Sequence, residues 1–197
     1  MRILLIGATG TIGRPIARAL AGHEILAASR HGEYQVDITD PASIRALMAR
    51  AGKVDAIVCA AGGGAWKPLA DLTDDDFTRS LGDKLMGQVN VVRYGFDIVR
   101  DGGSITITSG VLAQSPMVGS AAVSLVNAGL EGFTRAAALE APRGIRVNVV
   151  SPGWVSETLA AMGQDPKPGI PADDVARVYA SSVTGSATGA VLPAFPK

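Results

Sequence analysis

The sequence predicts an α/β fold: one doubly wound parallel sheet of six to seven strands with helices on both faces. Three observations predict it. Short strand-like runs recur, and the first, Ile3 to Ile6, is apolar throughout and stops at a glycine, as a strand buried on both faces of a parallel sheet does. Segments of helical period alternate with these runs and carry Pro at their starts or Gly at their ends. A glycine-rich turn, Gly7-Ala-Thr-Gly10-Thr-Ile-Gly13, separates the first strand from the first helix.

Taken in order, Ile3–Ile6 is a buried strand, and the helix after it has Pro15 in its first turn and Gly22 beyond its end. Glu24–Ser29 is the second strand. Too few residues separate Arg30 from Tyr34 for the dozen or so that a parallel crossover usually needs. The usual helix is therefore missing, and the third strand is vestigial. Asp40 caps the next helix, with Pro41 in its first turn and Gly52 as its stop, and the strand Asp55–Cys59 follows. Thr73 and Asp76 have capping-box spacing and open a helix that runs to about Arg100, bent near Gly82 or Gly87. Ser104–Thr108 is a strand, Gly119–Ala141 a long helix rich in Ala and Gly, and Ile145–Val150 a strand. One short helix and a Pro/Gly-rich link fit between Ser156 and Pro171. Asp173–Val183 is the last helix, and Thr188–Leu192 closes the sheet. No repeat or second domain interrupts 1–197.

Composition narrows the function. Of 197 residues, 47% are hydrophobic and 18% charged, which suits a compact chain with a sizeable core. Eighteen basic residues balance eighteen acidic ones, so no net field draws a nucleic acid or a membrane surface. No apolar stretch is long enough to span a bilayer, and the opening run ends at Gly7 without a cleavage-type segment. Cys59 is the single cysteine, in keeping with a cytoplasmic protein. Two His and one Cys give no zinc spacing, so no metal is expected.

Gly7, Gly10 and Gly13, with Thr9, Thr11 and Ile12 between them, occupy the strand-to-helix context in which glycines bring amide donors against a pyrophosphate. The plainer alternative is a tight turn that only packs helix on strand. Ser29-Arg30-His31 ends the second strand, where an acidic residue would bind a free ribose hydroxyl. A hydroxyl beside a guanidinium suits a 2′-phosphate instead, which favours NADP over NAD, unless Arg30 is simply a solvated cation.

The glycine turn, the strand Ser104–Ser109, the helix run Val123-Ser-Leu-Val-Asn127-Ala-Gly-Leu-Glu-Gly-Phe133 and Gly144-Ile-Arg-Val-Asn-Val-Val-Ser-Pro-Gly153 together resemble the short-chain dehydrogenase/reductase family, a Rossmann-type fold, over essentially the whole chain. The resemblance implies that Asp37 and Ile38 contact adenine, that Ala60, Ala61 and Gly62 wall its ribose, and that Pro152, Gly153 and Val155 wall the nicotinamide. It makes Ser109 the active-site serine. It also exposes a gap. The family's Tyr and Lys fall on Val123 and Asn127, and the register is pinned by Ala128-Gly-Leu-Glu-Gly-Phe133. Lys84 falls where the family has a helix Asn, so amide and ammonium have changed places. The reading of the catalytic set is thus Ser109, Lys84 and Asn127, although alone Lys84 reads as a solvated lysine. Two functions compete: an NADP(H)-dependent oxidoreductase acting on a small carbonyl or alcohol with an incomplete catalytic set, and a non-catalytic NADP(H)-binding sensor. Non-redox chemistry is a third. Small residues on the helices at 74–100 and 119–141 suit a homodimer or homotetramer.

Overall fold

The computed structural model describes residues 1–195. Seven strands form one parallel sheet: β1 (Arg2–Ile6), β2 (Glu24–Ser29), β3 (Tyr34–Gln35), β4 (Val54–Cys59), β5 (Val99–Thr108), β6 (Arg146–Pro152) and β7 (Val191–Ala194). Their order is β3-β2-β1-β4-β5-β6-β7, every neighbouring pair parallel. β1 is central, with Ile3 paired to Ile25 on one side and Ala56 on the other. That position is why its run is apolar at every residue rather than alternating. Strand order reverses between β1 and β4, and such reversals open a crevice at the carboxyl edge of the sheet.

The pleat sends alternate residues into two cores. Leu4 and Ile6 join Ile57, Ile105 and Val147 beneath the helices α2 (Pro41–Ala51), α4 (Gly87–Gly95) and α5 (Ala121–Glu140). Ile3 and Leu5 face the opposite side, with Ile16 of α1 (Gly13–Ala19) and Val175 and Tyr179 of α7 (Ala172–Thr184). Tyr179 is fully buried, and its hydroxyl lies 2.6 Å from that of Thr108, so the one large polar side chain of this core is satisfied. No described helix is long and apolar enough to cross a membrane.

The link between β2 and β3 is short, as the sequence predicts. Only two pairs, Ala28 with Tyr34 and Ser29 with Gln35, form the β3 ladder, and no helix intervenes. Asp40 accepts from the Ala42 amide at 2.8 Å, and Gly52 ends α2 with φ +64°. The capping box is also present, with Thr73 Oγ1 accepting from the Asp76 amide and Asp76 accepting from the Thr73 amide at 3.0 Å.

Three boundaries differ from expectation, and one is the closing strand, Val191–Ala194 rather than Thr188–Leu192, because Gly189 turns the chain with φ +69°. The bent helix is three pieces, α3 (Asp74–Ser80), a π-helical turn Leu81–Met86, and α4, which stops at Gly95 rather than near Arg100. It stops because Val99 already pairs with Val54. β5 consequently starts at Val99 and runs through Asp101-Gly-Gly, five residues ahead of the expected Ser104. The ladder jumps from Val54–Val99 to Ala56–Ser104, so the intervening residues bulge out. Arg100 on Asp55 at 2.8 Å and Arg143 on Asp101 at 2.9 Å hold that bulge. A short helix α6 (Ser156–Ala161) follows β6.

Candidate active site

The crevice is floored by the turn after β1. Gly7 has φ +85°, and a Cβ there would stand 2.8 Å from the Ala60 carbonyl oxygen. A Cβ on Gly13 would stand 2.0 Å from the Gly7 oxygen, closer than atoms can come. The Gly7 and Ala8 amides bond the Ala28 carbonyl at 2.9 and 3.2 Å, and the Gly10 amide closes the turn on Gly7 at 3.0 Å. No side chain caps α1, but its Arg14 and Ile16 amides bond the Gly10 and Ile12 carbonyls at 3.2 and 3.1 Å and Pro15 has none, which leaves the Gly13 amide as the free donor of the first turn beside this cradle.

At the outer end, Gly7, Thr9, Gly10, Ser29, Arg30, Asp37, Ile38 and Ala60–Gly62 line a cavity of about 530 Å³. The Asp37 carboxyl is held below its usual range, first by the Thr39 amide at 2.9 Å and the Thr39 hydroxyl at 2.8 Å, then by nearby Arg30. It stays ionised and keeps acceptor capacity for an amino group. The Ser29 hydroxyl donates to the His31 carbonyl. His31 and Thr11 are exposed and lie outside this lining.

The inner end is built around Lys84. The π-helical turn carries it, and Gly62 (φ +111°) lets the chains touch, since a Cβ there would lie 3.0 Å from Lys84 Cα. Such turns are over-represented at functional sites. Lys84 Nζ donates to the Ser109 carbonyl at 2.9 Å. Desolvation pushes the ammonium down to about 8, against the pull of neighbouring Asp83. Asp83 itself accepts from the Gly63 amide at 3.0 Å.

Asn127, buried on α5, points its amide nitrogen at the Gly110 carbonyl, 3.4 Å away. Its Oδ1 is buried and has no partner among the described residues. Leaving such an acceptor unmet costs about 1–3 kcal/mol, so a donor from outside the chain is called for. Ile12, Ala60, Ala61, Gly62, Pro152, Gly153 and Val155 complete the walls of this cavity, about 230 Å³ in volume, with Val123 beside Asn127. The structure therefore brings Lys84, Ser109 and Asn127 together, as the sequence reading has them.

Ser109 is the residue whose setting differs most from expectation. Its hydroxyl donates to Glu131 at 3.1 Å, and Gln114 donates to the same carboxylate at 2.5 Å. Toward Lys84 it offers a carbonyl instead. Sequence reading misses Glu131, which looks like any helix acid 22 residues away, and Trp154, which lies between two residues it names. Cys59 is fully buried and its thiol is pushed up to about 12 by desolvation, so it is inert packing. Among the described residues, no group of three His, Cys, Asp or Glu could hold a metal ion.

A family model described as enoyl-(acyl carrier protein) reductase matches residues 17–187, most of the chain. The chain belongs to the short-chain dehydrogenase/reductase family. A structure of the protein lin1944 from Listeria innocua superposes with a TM-score of 0.95 at 38% identity, over 99% of this chain and 100% of that one. A small-chain dehydrogenase in complex with NADPH superposes at 0.87 with 26% identity, over 98% of this chain and 95% of that one. Oxidoreductase UcpA of Escherichia coli K12 is 32% identical over 186 residues, 80% of this chain and 70% of that protein. The chain spans 47% and 48% of the lengths of the first two curated relatives it matches. The dinucleotide that short-chain dehydrogenases/reductases use fits what is seen: a glycine cradle that side chains would fill, an ionised Asp37 at one end and a partnerless Asn127 oxygen at the other.

Proposed function

We propose that this protein is an NADP(H)-dependent oxidoreductase that acts on a small carbonyl or alcohol, with Lys84, Asn127 and Ser109 as its polar set. The observation that carries the reading is the presence, in one cavity of the crevice, of the Lys84 ammonium and the unmet Asn127 oxygen. When bound, the dinucleotide supplies the hydride chemistry. The chain's residues do the rest. Gly7–Gly13 cradles the diphosphate, Arg30 holds a 2′-phosphate, with Ser29 joining it once its hydroxyl turns from the His31 carbonyl, and Asp37 receives the adenine amino group. Asn127 Oδ1 accepts from a ribose hydroxyl, and Lys84 places a positive charge where the substrate oxygen gains negative charge.

The absent tyrosine favours one other reading, that of an NADP(H)-binding sensor. Val123 carries no proton at that place, and the Ser109 hydroxyl is committed to Glu131. A positioned acid is worth about 10²–10⁴ in rate, so its loss slows hydride transfer without forbidding it. A panel of carbonyl compounds with NADPH separates the two. Consumption that falls at least about 10²-fold in Lys84→Met supports the enzyme, whereas tight NADPH binding with no turnover on any carbonyl supports the sensor.

A further inference from the structure

The chain has two tryptophans, 88 positions apart, and the fold brings them together, Trp154 in the wall of the crevice and Trp66 on a neighbouring cavity. Their ring centroids are 5.5 Å apart at an interplanar angle of 66°, an edge-to-face pair. Trp154 follows β6 and forms part of the crevice wall. Its backbone is fixed, because its carbonyl accepts from the Ile170 amide at 2.8 Å and Val155 bridges to Ile170. Trp66 sits on the loop after β4 and is 43% exposed. That loop is tied down too, by the Lys67 amide on the Gly119 carbonyl at 3.1 Å and the Ala65 amide on Ser80 Oγ at 2.9 Å. It lies directly over Val123, since a Cβ on Gly64 would come within 3.2 Å of the valine.

Val111, Leu112, Val123 and Val155 give the wall aliphatic side chains, Thr108, Ser109, Asn127 and Thr158 add uncharged polar ones, and Lys84 is the one charged side chain among the described residues that line the cavity. A substrate with its own carboxylate or phosphate would find a single cation there, already bonded to Ser109 and needed at the reacting oxygen. An uncharged flat ring would find an aromatic face and aliphatic contacts. The missing acid narrows the choice further. Reduction of an aliphatic ketone leaves an alkoxide with a basicity near that of hydroxide, about 15.7 on the pKa scale of water, and that oxygen needs a proton as the hydride arrives. Reduction of a quinone leaves a phenolate, about 10 on the same scale. The burden on a proton donor is then on the order of 10⁵ times smaller.

We propose that the substrate is a flat aromatic quinone, stacked against Trp154 with one oxygen directed at Lys84. The proposal rests on the oxidoreductase reading above. The quinone accepts a hydride at one oxygen as a carbon–hydrogen bond of the reduced nicotinamide breaks. The hydride's electron pair aromatises the ring, the nicotinamide leaves oxidised, and the opposite oxygen becomes a phenolate steadied by Lys84. That phenolate stays beside the ammonium, which keeps its own proton, and is protonated from solvent as the product leaves. The product is the hydroquinone, two electrons and two protons richer than the quinone. A strong acid at position 123 is not needed, which is why valine suffices there.

The test compares 1,4-naphthoquinone with 1-tetralone, the same fused skeleton with one carbonyl and an alkoxide product. Because Trp154 lines the site and Trp66 packs against it, quinone binding to the full chain reads out as fluorescence quenching without any cofactor. Saturable quenching is expected, with affinity reduced at least about tenfold in Trp154→Leu and several-fold in Trp66→Leu, whose exposed ring can be removed without opening the core. With NADPH present, naphthoquinone is expected to be reduced at least about 10²-fold faster than tetralone. Quenching that never saturates, quenching unchanged in both variants, or equal rates on the two ketones would overturn the quinone assignment while leaving the oxidoreductase reading in place. A titration in which NADPH itself does not bind would remove the reading beneath it.

Discussion

Lys84 holds the sharpest conflict between stability and function in the molecule. At pH 7 it is charged in both the folded and the unfolded chain, yet folding strips water from it. Its folded pKa of about 8 lies below the ordinary 10.5, so the sign follows directly. Below pH 8 the folded state bears the full cost of a desolvated charge. Between about 8 and 10.5 the folded chain releases a proton that the unfolded chain keeps, so stability attributable to Lys84 rises with pH across that window. Lys84→Met removes the cost at near-constant volume. The variant is expected to be more stable than the natural chain at pH 7 by roughly 1–3 kcal/mol, a rise in Tm of about 2–4 °C per kcal/mol, with the gap closing toward pH 10. Thermal melts of both proteins at the two pH values check this. A variant that melts lower at pH 7, or a gap independent of pH, would show that Lys84 is held by favourable contacts instead.

At the scale of elements, what could be read in advance was what local chemistry decides. Asp40, Pro41 and Gly52 delimit α2, and Thr73 with Asp76 opens α3, because caps act within one turn of chain. The π-helical turn has no comparable signature. It exists where the chain passes Gly62, a contact 22 residues away in sequence, and only there does it turn Lys84 inward. Likewise nothing local in Asp101-Gly-Gly extends the strand, and only the pairing of β4 with β5 around it does.

The outer face of α5 poses its own question. Leu125, Ala128, Gly132, Ala136 and Leu139 are all exposed, at helical spacing, and Leu139 is 89% exposed. We propose that a second copy of the chain covers this face. Leu139→Glu would disturb nothing inside the monomer, so sedimentation should show the natural chain as a dimer or larger and the variant shifted toward the monomer. A natural chain that sediments as a monomer, or a variant of unchanged mass, contradicts the proposal.

For the molecule as a whole, the sheet order and the crevice follow from a pattern visible from the first seven residues onward. An apolar β1 must lie at the centre, and the turn after it must then open at the reversal of strand order. The glycines and Asp37 meet there as expected, because strand ends place them. The relation of Ser109 to Glu131 and of Trp66 to Trp154 was not legible, since both depend on how separate helices and loops pack. The proposed activity requires that crevice to be a dinucleotide site with a preference for the 2′-phosphorylated form. Calorimetric titration with NADPH and with NADH tests it most directly. One NADPH per chain is predicted, bound at least about tenfold more tightly than NADH, the difference of a charge-assisted contact to Arg30. No heat with either nucleotide, or NADH bound as tightly as NADPH, would contradict it.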